Sequence, residues 1–132
     1  MRVLVDTSVW SLALRRRAVP ADIKVELLSE LVASGQTIFL TGIILQEILQ
    51  GVKDKSHLTK LERYFEPFAL IEPNRRTYIH GAHLYSLCRA KGTPVATVDC
   101  LIASVALSHE CKLLARDTDF EKLAAVSELE LL

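Results

Sequence analysis

The chain has 132 residues, of which 50% are apolar and 24% charged, with 16 basic and 16 acidic side chains. That length predicts one domain over residues 1–132, able to bury a core without disulfides or a structural metal, and the composition excludes a disordered or fibrous chain. A formal net charge of zero excludes the strongly basic proteins that coat nucleic acid through bulk charge, so any phosphate binding must come from local patches.

The first apolar run, Val3-Leu4-Val5, ends abruptly at Asp6-Thr7-Ser8, which predicts a buried strand followed by a polar turn. A short helix over 9–14 stops before Pro20. Residues 21–34 carry Ile23, Leu27, Leu28 and Leu31 at helical spacing, and Gly35 stands where a helix C-terminal glycine belongs. The second strand is 37–40, after which Thr41 caps a helix with the apolar stripe Leu45, Ile48, Leu49 and Val52. A charged helix over 56–66 leads to a third strand at 68–71, closed by Pro73. Asn74 caps a long helix that runs to about Lys91 and ends at Gly92. Thr97 or Asp99 opens the next helix, which runs through His109. Residues 112–115 form the fourth strand, 119–125 a short helix, and 129–132 fit a last strand.

Strands separated by helices pair in parallel through crossovers, which predicts an α/β fold, a three-layer α/β/α sandwich. Cys88, Cys100 and Cys111 are odd in number and show no C-x-x-C spacing, so they read as reduced core residues of a cytoplasmic protein. The first apolar run is too short for a signal peptide, and no stretch approaches the ~18 apolar residues that cross a membrane.

In open parallel sheets, ligands bind beyond the carboxyl ends of the strands. Two strands here lead into aspartate, at Asp6 and at Asp117. Each alone is well explained as an Asx-turn or a helix cap. Thr118 and Glu121 fit a capping box for the short helix, which leaves Asp117 and Asp119 free of that duty. Asp119 would still be favoured there by the helix dipole, as would Asp99 in the first turn of its own helix. Glu47 shares its helix face with Ile43, Ile44 and Gly51, which predicts partial burial.

Taken together, Asp6, Glu47, Asp99 and Asp117 are four carboxylates on elements that border one end of the sheet. Two carboxylates at ~4 Å repel by roughly 4 kcal/mol at an effective dielectric near 20, and a divalent cation relieves that cost. Oxygen ligands without soft partners point to Mg²⁺ or Mn²⁺, and such an ion has an evident use on a phosphodiester.

At these residues the sequence resembles the PIN-domain ribonucleases, most closely VapC-type toxins of toxin–antitoxin pairs. The markers are Val3-Leu4-Val5-Asp6-Thr7-Ser8-Val9-Trp10, then Glu47, then Asp99-Cys100-Leu101-Ile102-Ala103-Ser104, and finally the run from Leu113 through Asp117-Thr118-Asp119-Phe120. The resemblance spans essentially the whole chain. It implies a five-stranded parallel sheet in order 3-2-1-4-5, with Asp6 and Asp117 on adjacent strand ends. It also implies that Asp6, Glu47, Asp99 and Asp117 are the catalytic acids and that Asp6, Asp99 and Asp117 hold the metal. Ser8 and Asp119 match supporting positions. The implied activity is Mg²⁺- or Mn²⁺-dependent endonucleolytic cleavage of RNA, leaving a 3′-hydroxyl and a 5′-phosphate. A homodimer silenced by a cognate antitoxin protein is the implied assembly. Cys100 and Ser104 depart from the family's usual aliphatic residues or alanine.

Arg15, Arg16 and Arg17 are the first candidates for phosphate contacts, weighed against an ordinary solvated patch. His80 and His83 are three apart on a helix but have no further soft ligand nearby. Trp10 suits packing against the sheet or a dimer partner better than base stacking. A phosphoacceptor signalling domain would need aspartate at the end of the third strand, where Glu72-Pro73 stands, and a D-x-D phosphatase fails because Ser8 follows Asp6. A non-catalytic binding module is the alternative from a different class, and the presence of all four acids counts against it. Within the nucleases, a housekeeping RNA-processing enzyme is the alternative to a toxin.

Overall fold

The computed structural model describes residues 1–15 and 22–132. In chain order the described elements are β1 (Arg2–Val5), α1 (Thr7–Ala13), α2 (Ile23–Ala33), β2 (Thr37–Thr41), α3 (Gly42–Gln50), α4 (Lys55–Phe65) and β3 (Ala69–Ile71). They continue with α5 (Arg75–Ala90), α6 (Thr97–Ser108), β4 (Lys112–Leu114) and α7 (Asp119–Ala125).

The strands pair in parallel in the order β3-β2-β1-β4. Val3, Leu4 and Val5 are all fully buried. Consecutive strand residues point to opposite faces, so three buried in a row means that both faces of the sheet are covered. Two helical groups supply the cover. In one, α1 packs on α2 and α3, and α3 packs on α4; in the other, α5, α6 and α7 pack on one another. This is the three-layer sandwich predicted above.

The sheet among the described residues has four strands rather than the five expected. Leu131 makes a single parallel bridge to Leu113, held by Leu113 N–H to the Glu130 carbonyl and Leu132 N–H to the Leu113 carbonyl, both 2.9 Å. Leu129 N–H is taken by Ser127 Oγ at 3.2 Å, so the segment bends first and reaches the β4 edge only at its end. Its place beside β4 is still the fifth place of the expected order.

Local signals act as read at most helix ends. Thr41 Oγ1 accepts the Ile44 N–H at 3.4 Å, and Asn74 and Thr77 cap the start of α5 reciprocally. Gly35 and Gly92 close their helices at φ +73° and +74°, where a side chain would be strained. Two apolar stripes shift. On α3 the buried residues are Ile44 and Ile48, with Leu45 and Leu49 only partly buried. Ile23, at the first position of α2 and ahead of its buried face at Leu28 and Leu31, is exposed.

Trp10 anchors α1 to α4. Its ring meets Phe65 and Phe68 edge-on, with centroids 5.0 and 5.5 Å away.

Candidate active site

β1 stops at Val5, and the next residue continues its ladder: Asp6 N–H donates to the Leu114 carbonyl at 2.9 Å. The buried Asp6 carboxylate caps α1, with Oδ2 accepting from Ser8 N–H at 3.1 Å and from Ser8 Oγ at 2.6 Å. Ser8 Oγ also accepts the Arg116 N–H at 3.0 Å. One hydroxyl therefore fastens the turn after β1 to the turn after β4. The capping explanation of Asp6 is correct, and it also sets the carboxylate rigidly at the carboxyl end of the sheet.

Asp99 lies in the first turn of α6, Asp117 in the turn after β4, and Asp119 at the start of α7. One carboxylate oxygen from each of the three lies within 4.8 Å of the others. The Thr118 capping box predicted above does not form, because Thr118 sits at φ −67° and ψ −14° instead of the extended conformation a capping residue needs. Asp117 serves that turn instead, its Oδ1 accepting the Asp119 N–H at 2.9 Å. Lys122 Nζ pairs with Asp119 Oδ1 at 2.9 Å, and that hydrogen bond holds the ammonium above its ordinary pKa.

Asp99 registers the whole group. Its carboxyl is pushed up to about 7, first by burial and then by the charges of Asp117, Asp6, Asp119 and Glu47. Glu47 reaches the site from α3, half-buried, with Oε1 accepting from Thr7 Oγ1 at 3.1 Å. The structure thus brings together all four acids singled out in the sequence, with Asp119 as a fifth. Asp6 lies outside the closest trio, and Asp119 takes the place that the sequence reading gave it.

Five carboxylates offer hard oxygen donors and crowded negative charge, a set that fits a divalent cation. Glu47 also lines a groove of about 400 Å³ whose wall carries Arg15, Lys53 and His57. Arg15 is exposed there, whereas Arg16 and Arg17 lie outside the described residues. His80 and His83 are exposed on α5, and neither joins a metal-competent group among the described residues. Cys88, Cys100 and Cys111 are buried free thiols, as expected, and burial pushes each one's pKa up.

Several side chains at the site went unnoticed in the sequence. Lys122 stands three residues after Asp119, a helical pairing that was legible. Arg116 Nε meets Asp22 Oδ2 at 3.1 Å, and Lys24 Nζ donates to the Ala115 carbonyl. Asp22 Oδ1 meanwhile caps α2 through the Lys24 and Val25 N–H groups at 3.0 and 3.2 Å. Partial desolvation raises the Asp22 carboxyl, but those two N–H groups and the Arg116 guanidinium outweigh it and hold the pKa below the ordinary value. No spacing rule connects residues so far apart in the chain.

Residues 3–126 match the family model of the PIN domain. The chain is 33% identical over 131 residues to the VapC ribonuclease Mb1587 of Mycobacterium bovis, covering 97% of this chain and 96% of that one. Among solved structures, VapBC2 from Rickettsia felis, bound to a DNA fragment from its promoter, superposes with a TM-score of 0.80 at 22% identity, over 100% of this chain and 98% of that one. VapBC-5 from Mycobacterium tuberculosis, a member of the VapBC family of toxin–antitoxin systems, gives 0.71 at 17% identity over 99% and 97%. With its sheet order, its acidic site and this likeness along nearly its full length, the chain belongs to the PIN-domain family.

Proposed function

We propose that this chain is a Mg²⁺- or Mn²⁺-dependent endoribonuclease and the toxin of a toxin–antitoxin pair. The observation that carries the reading is the carboxylate trio Asp99, Asp117 and Asp119, with oxygens within 4.8 Å of one another. Their crowding with Asp6 and Glu47 adds to burial in raising the Asp99 carboxyl, and a divalent cation would compensate it. The curated relative is a ribonuclease by name, which supports RNA as the substrate. The VapBC structures support an antitoxin protein as partner.

In this reading Asp6, Asp99 and Asp117 hold the cation, with Asp119 beside them. When bound, the cation supplies charge neutralisation at the scissile phosphate and makes water at the site more acidic. Glu47, steadied by Thr7 at the mouth of the groove, orients the attacking water or takes part in a second cation site. Ser8 keeps Asp6 and the Asp117 turn in register. Arg15 and Lys53 meet the RNA backbone from the groove wall, with Arg16 and Arg17 as further phosphate contacts. The products carry a 3′-hydroxyl and a 5′-phosphate. The protein works in the cytoplasm as one domain per chain, paired as a homodimer. No helix among the described residues is long and apolar enough to cross a membrane.

The test is cleavage of a labelled structured RNA with Mn²⁺, with EDTA, and with Asp6→Asn protein. Cleavage that requires both the metal and Asp6 is the expected result. Cleavage at the wild-type rate in EDTA or by Asp6→Asn would overturn the proposal.

A further inference from the structure

β4 ends at Leu114, three residues before Asp117, so no strand ladder fixes that carboxylate. Asp117 is exposed and faces Asp99 and Asp119 with oxygens within 4.8 Å, and like charges at that range push it outward. Its Oδ1 accepts the Asp119 N–H at 2.9 Å, and the loop that carries it is held by a series of contacts on the three residues leading to it. The Leu114 carbonyl accepts from Asp6 N–H at 2.9 Å, and the Arg116 N–H donates to Ser8 Oγ at 3.0 Å. Both come from the turn after β1, which carries Asp6. The other two come from the start of α2, which contributes no acid to the cluster: Lys24 Nζ donates to the Ala115 carbonyl, and Asp22 Oδ2 accepts from Arg116 Nε at 3.1 Å.

An isolated exposed ion pair contributes little. This one differs in how it is anchored. Asp22 uses one carboxylate oxygen to cap α2 and the other to hold Arg116, so the guanidinium is tied to the rigid start of a helix. Two contacts from one element onto consecutive residues restrain both the position and the twist of the loop.

We propose that the first turn of α2 is a clamp that sets Asp117 for cation binding, with Asp22, Lys24 and Arg116 as positioning residues. The proposal rests on the acidic-site reading above. The clamp touches neither cation nor RNA; it acts through the Asp117 carboxylate alone.

The experiment is a Mn²⁺ titration followed by electron paramagnetic resonance, which reads free ion and needs no turnover. It compares wild type with Arg116→Ala, Lys24→Met, Asp117→Asn and the Arg116→Ala/Asp117→Asn double variant. Asp22→Asn is included because it keeps an acceptor for the α2 cap while losing the charge that holds Arg116. Each clamp variant should weaken Mn²⁺ binding by about tenfold with circular dichroism unchanged, the lower range for a residue that orients a metal ligand. Arg116→Ala should add nothing once Asp117 is Asn. Folded clamp variants that bind Mn²⁺ like wild type, while Asp117→Asn does not, would overturn the clamp and leave the acidic site standing. An Arg116→Ala loss that persists in the Asp117→Asn background would also overturn it. Wild-type binding by Asp117→Asn would overturn the acidic-site reading and the clamp together. Should Arg116→Ala fail to fold, Asp22→Asn and Lys24→Met carry the same comparison.

Discussion

A half-buried carboxyl with a pKa of about 7 makes the metal-free protein sensitive to pH in a direction opposite to that of most acids. Between its ordinary value of 3.8 and about 7, Asp99 is ionised in the unfolded chain but still protonated in the fold. The unfolded state therefore binds fewer protons, and the Asp99 contribution to stability is complete below the ordinary value and lost as pH rises through 7. Asp99→Asn removes that loss. Thermal melts in EDTA at pH 8 should show the variant more stable than wild type by on the order of 1 kcal/mol, a figure reduced for the solvent screening of a half-exposed group. That corresponds to about 3–5 °C in Tm. At pH 5 the gap should be well below its pH 8 size, because most of the loss falls between pH 5 and 7, and a constant gap at both values would place the effect in packing. Metal-dependent cleavage by the same variant should be lost, so stability and activity move in opposite directions at one residue.

At the scale of elements, Asp99 depends on how closely α5 and α6 approach. Gly81 on α5 sits against the start of α6, where a Cβ would lie 3.6 Å from the Cys100 carbonyl oxygen, an ordinary contact. Ser104 Oγ also donates to the Thr77 carbonyl at 2.7 Å and ties the two helices together. Gly81→Ala should therefore be accepted and should stabilise by about 0.5–1 kcal/mol through helix propensity. Gly81→Leu should cost about 1–3 kcal/mol by overpacking. It should also lower cleavage more than urea denaturation alone accounts for, because Asp99 is next to the displaced backbone. Equal cleavage by Gly81→Leu and wild type would show that α6 does not depend on this contact for its placement. These helices were legible in the sequence because their signals are local: Asn74 and Gly92 bracket α5, and a run of small residues follows Asp99. Asp6 and Asp117 were legible because apolar runs lead into them, whereas Glu47 and Asp99 lie within helices and stood out mainly through the family resemblance. Three features were not. Thr118 looked like a cap by residue type, but capping depends on a backbone angle that the sequence pattern does not report. The last segment had the apolar content of a strand, yet Ser127 bends it away until Leu131. The α2 contacts to Ala115 and Arg116 join distant residues through exposed polar groups, which leave no periodic trace.

For the whole molecule, zero net charge means that RNA affinity must be concentrated rather than diffuse. The groove lined by Glu47 also carries the basic side chains Arg15 and Lys53. Replacing Arg15 and Lys53 together with Gln should lower the slope of log affinity against log salt by about 1.4, the value for two phosphate contacts on a single strand. Fluorescence anisotropy with Asp6→Asn protein, so that the RNA survives, reads this directly. An unchanged slope would mean that the RNA runs elsewhere. The Ser8–Arg116 hydrogen bond has a consequence on a different time axis. Its partners are 108 residues apart, and β1 pairs with β4 across a similar span. During translation the amino-terminal half of the site emerges first and has nothing to close against. A growing chain of the proposed nuclease therefore stays harmless to the message that encodes it until residues beyond Asp117 have left the ribosome.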